Sequence, residues 1–174
     1  NGFNVENLRA FFDEYELFKA VRCKDDVALE NMMLRTASYR EKGIYTFLAT
    51  YFRVRFVQCA ALDGDEKEKR FKELADEFAR ALAPWGNLWF TFENEGDRLY
   101  NMELYDIAGR LYERAALVCD ASKVDALVRL WRYVGLSAQK GGDVQKAAEA
   151  FKRGLDLRKD YGLYEELENL YRTS

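Results

Sequence analysis

A trio of residues at i, i+4 and i+7, centred on an aromatic ring, returns along this chain at a repeat-like interval. It constrains the fold more than any other feature. Leu74, Phe78 and Ala81 precede Ala108, Tyr112 and Ala115 by 34 residues, and Ala147, Phe151 and Gly154 follow after a further 39. Ahead of the last two trios, Phe92, Gly96 and Leu99 correspond to Trp131, Gly135 and Ala138, again 39 apart. This spacing places each trio on one side of a helix. Small residues let a paired helix approach closely, and the ring fills the gap. A lone hairpin of this kind leaves an apolar face open, so neighbours must stack to bury it. The longer step carries five extra residues near Cys119 to Lys123.

The rest of the chain agrees with an all-helical reading. Strand signals are nearly missing, and the single proline, Pro84, leaves long helices unbroken. Asn4 is expected to cap a first helix to Cys23, with Leu8, Phe11, Phe12, Tyr15 and Phe18 on one side. Asp26 is expected to cap a second helix that Gly43 ends. A third, Ile44 to Leu62, carries Tyr45, Phe47, Tyr51, Phe52 and Phe56 on more than one side, as an interior helix does. The fourth opens with a capping pair, Asp65 and Glu68, and stops before Pro84. Leu88 to Tyr100 makes the fifth, and Asn101 caps a sixth to Val118. Ser122 and Asp125 open a seventh to Gln139, Asp143 caps the eighth, and Leu163 to Tyr171 forms the last.

The stretch from Val128 to Tyr161 places Trp131, Gly135, Gly142, Ala147, Phe151 and Gly154 at spacings that resemble a tetratricopeptide repeat. Residues 89–122 resemble it too. In the hairpin before them, Gln58 and Leu62 stand where Trp and Gly would be expected. The resemblance implies a right-handed superhelix (solenoid) of about nine antiparallel helices forming a single domain over 1–174. Within it, 1–43 would be a divergent N-terminal hairpin, 44–161 the repeats and 162–174 a capping helix.

What the resemblance implies for function is a non-enzymatic scaffold that binds a protein or peptide segment in a concave groove. In such repeats the first helix of each unit lines that groove. Carried onto this chain, the positions are Phe90, Glu93, Asp97 and Tyr100, then Arg129, Arg132, Leu136 and Gln139. The two arginines would bond a ligand carboxylate, and Phe90 and Tyr100 would supply aromatic contact. An internal ion pair, for instance Glu93 with Arg132, is the competing reading. A family subtype that grips chaperone tails uses Asn where this chain has Asp97 and Leu136, which disfavours that role. Two other functions stay open. One is a structural or self-associating module of a larger assembly, in which a homo-oligomer is possible. The other is a small-ligand binder with an aromatic pocket between Tyr45, Tyr51 and Phe90.

Composition narrows the field further. A net charge of −3 and an isoelectric point near 5.3 give no general pull toward nucleic acid, despite Arg53, Arg55 and Phe56 on one helix. Histidine is absent, which removes the commonest general base and metal ligand. No phosphate-cradling loop is present, since Gly141-Gly142 reads as a helix-to-helix turn. Carboxylate runs such as Asp13, Glu14 and Glu16, or Glu165, Glu166 and Glu168, read as solvated helix faces. Asp63, Asp65 and Glu66 lack calcium-loop spacing. No enzyme activity, metal or cofactor is expected, and no apolar run has membrane-spanning length. Cys23, Cys59 and Cys119 are widely spaced and read as small hydrophobes. That points toward a reducing compartment such as the cytoplasm, with an exported mature chain as the alternative.

Overall fold

The computed structural model describes the backbone of residues 5–23, 25–41 and 45–173, and their side chains except at 5–11, 14, 26, 33, 36–41, 45–47, 85 and 173. Among these residues the chain is helical, without strands. It runs α1 (Val5–Cys23), α2 (Asp26–Glu41), α3 (Tyr45–Ala60), α4 (Gly64–Leu82), a 3-10 turn (Ala83–Trp85), α5 (Leu88–Asn101), α6 (Tyr105–Val118), α7 (Val124–Lys140), α8 (Val144–Leu157) and α9 (Tyr161–Thr173). The expected cap at Asn4, the stop at Gly43 and the helix start at Ile44 lie outside the described residues. So do the side chains of Leu8, Phe11, Glu14, Tyr45 and Phe47. The chain divides into two compact units, Asn1–Gly86 and Asn87–Ser174. That boundary falls inside the 44–161 stretch assigned to the repeats.

In the first unit α1, α2 and α3 pack on one another and α4 packs on α3. Arg35 of α2 donates to Asp13 at 2.6 Å and to Glu16 at 2.7 Å on α1. Asp13 is thus a buried, paired carboxylate and not part of a solvated face. The core is a group of rings. Phe78, fully buried, meets Phe52 and Phe56 edge-on at 5.4 and 5.7 Å, and Phe56 leans on Phe71. Such pairs add about 0.5–1.5 kcal/mol each beyond area burial. Phe78 therefore packs ring against ring, where the later hairpins pack ring against glycine. Leu62, in the expected glycine position, lies beyond the end of α3. Arg53 is buried, and Arg55 donates to Glu77 and Tyr51, both at 3.0 Å, so these arginines form no open basic surface.

In the second unit each helix packs on the next. Hairpins α5–α6 and α7–α8 match feature for feature at a 39-residue offset. Gly96 faces the Tyr112 ring, and a Cβ there would sit 2.8 Å from it; Gly135 faces the Phe151 ring more tightly still. Arg114 lies over Phe92 at 6.0 Å from the ring centre, and Arg153 over Trp131 at 4.8 Å. Both first helices end in the same reverse turn. Glu103 N–H donates to the Tyr100 carbonyl and Leu104 N–H to that of Leu99, as Gly142 does to Gln139 and Asp143 to Ala138. This is a Schellman closure, and it needs one left-handed residue.

That residue is Gly142 at φ 84° in one hairpin and Glu103 at φ 65° in the other. A left-handed L-residue costs roughly 1–2 kcal/mol, partly offset because glycine adds entropy to the unfolded chain. Glu103→Gly is therefore expected to stabilise the protein by about 0.5–1 kcal/mol, read as a higher urea midpoint.

Asp143 caps α8 as expected, its carboxylate accepting from Lys146 N–H at 2.9 Å. Four other caps are corrected. Asp25 caps α2, accepting from Ala28 N–H, because Asp26 is already helical. Asn101 is the last residue of α5, since the turn needs Met102 to Leu104 before α6 can begin. Asp65 lies inside the first turn of α4, which starts at Gly64, so the Asp65–Glu68 capping pair is not at the helix entry. Ser122 N–H donates to Asp120 at 2.8 Å ahead of α7, and Asp125, within its first turn, pairs with Arg158. The five-residue insertion is absorbed by helix. Relative to the preceding repeat positions, α6 ends two residues later and α7 begins three earlier. The last helix buries Leu163 and Leu170 against α7 and α8 residues, while Tyr161, Tyr164 and Tyr171 face solvent.

Candidate interaction surface

Glu93, Asp97 and Tyr100 are spaced to share one side of α5. Glu93 is only 5% exposed, and it accepts two bonds from Arg129 of α7: Nε to Oε1 at 2.7 Å and Nη2 to Oε2 at 3.0 Å. This two-pronged geometry is the strong form of the pair. Arg132, about one turn further along α7, reaches Glu166 of α9 at 2.9 Å. The expected Glu93–Arg132 pairing is corrected accordingly: Arg129 serves α5 and Arg132 serves α9. Both candidate groove arginines are held within the protein, and the pairs tie α5, α7 and α9 along one surface.

Asp97 is handled differently. Its Oδ1 accepts from the Tyr112 hydroxyl at 2.7 Å. The Tyr112 ring, fully buried against Gly96, stacks on Tyr133 with centroids 5.1 Å apart and planes 21° apart. Burial, and next the bond to Asp97, hold the Tyr112 hydroxyl above the usual tyrosine range, so it stays a donor. Burial also raises the Asp97 carboxyl; the Tyr112 bond opposes this, Glu93 adds to it, and Arg129 and Arg98 reduce it from a distance. Tyr100 meets Tyr105 edge-on at 5.1 Å, and its hydroxyl is raised by burial and by Tyr105, Tyr133 and Glu166.

The raised Asp97 carboxyl has a consequence for stability. A carboxyl that binds its proton more tightly when folded favours the fold at low pH, and that contribution is lost as pH rises through the raised value. Asp97→Asn should therefore raise Tm relative to the parent more at pH 7 than at pH 3. Thermal melts of the two proteins across that range check it.

Among the described residues no bond joins Phe90, Leu136 or Gln139 to this cluster. Phe90 is half-exposed and meets Trp89 edge-on at 5.7 Å. Leu136 packs on the core of Val128, Phe151 and Leu163. The cluster gains Tyr112, Tyr133 and Glu166, which the sequence reading did not assign to it. Comparison with protein-family models, curated proteins and solved structures found no match.

The remaining chemistry is sparse. Among the described residues no group of acidic or sulfur side chains is arranged to hold a metal ion. No described helix is long and apolar enough to cross a membrane. Cys59 is buried, but Cys23 is exposed and not the small hydrophobe expected. Cys119, just past α6, has its thiol raised chiefly by burial, which disfavours the reactive thiolate. Of the suggested aromatic pocket, Tyr45 lies outside the described side chains, Tyr51 accepts from Arg55, and Phe90 belongs to the other unit.

Proposed function

We propose that the second unit is a tetratricopeptide-like right-handed array and that the chain binds a protein or peptide segment across α5, α7 and α9. The matched hairpins support the repeat reading: glycine against ring, arginine over ring and the same closing turn recur in register. The observation that carries the binding reading is the surface itself. Tyr100, Asp97, Tyr133, Arg129, Arg132 and Glu166 are all at least part-exposed, and they are held by the pairs Arg129–Glu93, Arg132–Glu166, Tyr112–Asp97 and Tyr112–Tyr133. Tyrosine and arginine are the residues that protein interfaces enrich. A surface whose ion pairs are already made keeps its shape without a ligand, and a pre-shaped surface loses less entropy on binding. The role is that of a scaffold, with no chemistry on the bound segment.

Selection of peptides from a display library against the immobilised chain tests this. Selected peptides should lose about tenfold or more in affinity for Tyr100→Ala, Tyr133→Ala, measured by fluorescence anisotropy on protein with unchanged circular dichroism. Affinity unchanged in that variant would overturn the assignment.

A further inference from the structure

Building on the interaction reading, we infer that the surface around Asp97 receives a cationic side chain, lysine or arginine, from the bound segment. The positions of Asp97 and Tyr112 correspond, 39 residues on, to Leu136 and Phe151. In α7–α8 the ring against glycine is a phenylalanine and its neighbour is a leucine that leans on the core. Packing alone is satisfied there by hydrocarbon. In α5–α6 both positions are polar together, and the added hydroxyl donates to the added carboxylate at 2.7 Å. The hydroxyl does nothing for packing that Phe151 does not do without one. What it does is orient a carboxylate.

Among the described residues no cation is bonded to that carboxylate, and Arg129 and Arg98 act on it only through space. Arg129, the nearest base on α7, is engaged by both oxygens of Glu93, and Arg132 is engaged by Glu166. Asp97 is exposed as a residue though part-buried where it meets Tyr112, and its second oxygen is not used by that bond. Around it stand Tyr133, stacked on Tyr112, and Tyr100, whose hydroxyl lies within electrostatic reach of Tyr133 and Glu166. A carboxylate flanked by aromatic rings attracts an ammonium or guanidinium twice, through the charge and through the ring quadrupoles. A carboxylate ligand, the partner that two free arginines would have favoured, would instead meet Asp97 and Glu166.

The test uses the two small probes Nα-acetyl-arginine methylamide and Nα-acetyl-glutamate methylamide, titrated into the intact labelled chain and followed by NMR. The arginine probe should shift signals of Asp97, Tyr100, Tyr112 and Tyr133, and should bind about tenfold more weakly to Asp97→Asn. Tyr112→Phe, which copies the arrangement at Phe151 and so retains the fold, should also weaken it. The glutamate probe should leave these signals in place. Equal response to both probes, no localised shift, or an unchanged response in Asp97→Asn would overturn the inference. Display-selected peptides that bind this surface without a basic residue would overturn it as well, while leaving the interaction reading standing.

Discussion

Phe151→Ala is expected to cost about 3–5 kcal/mol of stability, the largest effect of any single change considered. The ring is fully buried and fills the space that Gly135 leaves open between α7 and α8. Removing it opens a cavity at the centre of the best-matched hairpin. The reciprocal change, Gly135→Ala, drives a methyl group into that ring, and overpacking of this kind costs about 1–3 kcal/mol or more. Because the two residues share one contact, their effects should not add. Gly135→Ala combined with Phe151→Leu should be more stable than the sum of the single changes allows, since the smaller side chain makes room. Urea unfolding of the four proteins measures the coupling. Strict additivity would show that the ring and the glycine do not fit one another as described.

Arg129→Ala is expected to cost about 2 kcal/mol, well above the usual effect of an exposed substitution. The reason lies in its partner. Glu93 has a side chain only 6% exposed, so deleting the guanidinium strands a carboxylate that water barely reaches. Full burial of both partners would raise the figure to about 3–5 kcal/mol, but the Arg129 side chain is 46% exposed, and solvent takes up part of the loss. Arg129→Lys should fall between, because an ammonium cannot make both parallel bonds. Glu93→Leu with Arg129→Leu should be milder than Arg129→Ala alone, since it leaves no charge stranded. Thermal unfolding by circular dichroism separates these variants. A single Arg129→Ala change of only a few tenths of a kcal/mol would mean that the pair is an ordinary surface contact.

The helical hairpins of the second unit were legible because they rest on short-range spacing. Gly96 and Tyr112, like Gly135 and Phe151, are read from positions within one hairpin, and the structure places each ring on its glycine. The turn at Gly142 was equally plain, since glycine advertises a left-handed residue. Its counterpart at Glu103 is hidden, because glutamate carries no such signal, and the sequence alone places a cap at Asn101. Ion-pair partners were legible only in kind. Repeat alignment sets height along a helix, but not which neighbouring helix a long side chain reaches, and Arg129 and Arg132 divide between α5 and α9. Glu166 looked like one of a solvated trio for the same reason. In the first unit the ring cluster of Phe52, Phe56 and Phe78 replaces the glycine-and-ring device, so the repeat pattern had nothing there to detect. The Asp97–Tyr112 bond was present in the sequence as a paired departure from Leu136 and Phe151. It carries meaning only once the two hairpins are superposed by register.

The measurement that bears most directly on the interaction reading is NMR mapping of a display-selected peptide on the intact chain. Shifts concentrated on Glu93, Asp97, Tyr100, Arg129, Tyr133 and Glu166 are the predicted result. Shifts confined to other surfaces, with these residues unmoved at saturation, would contradict it.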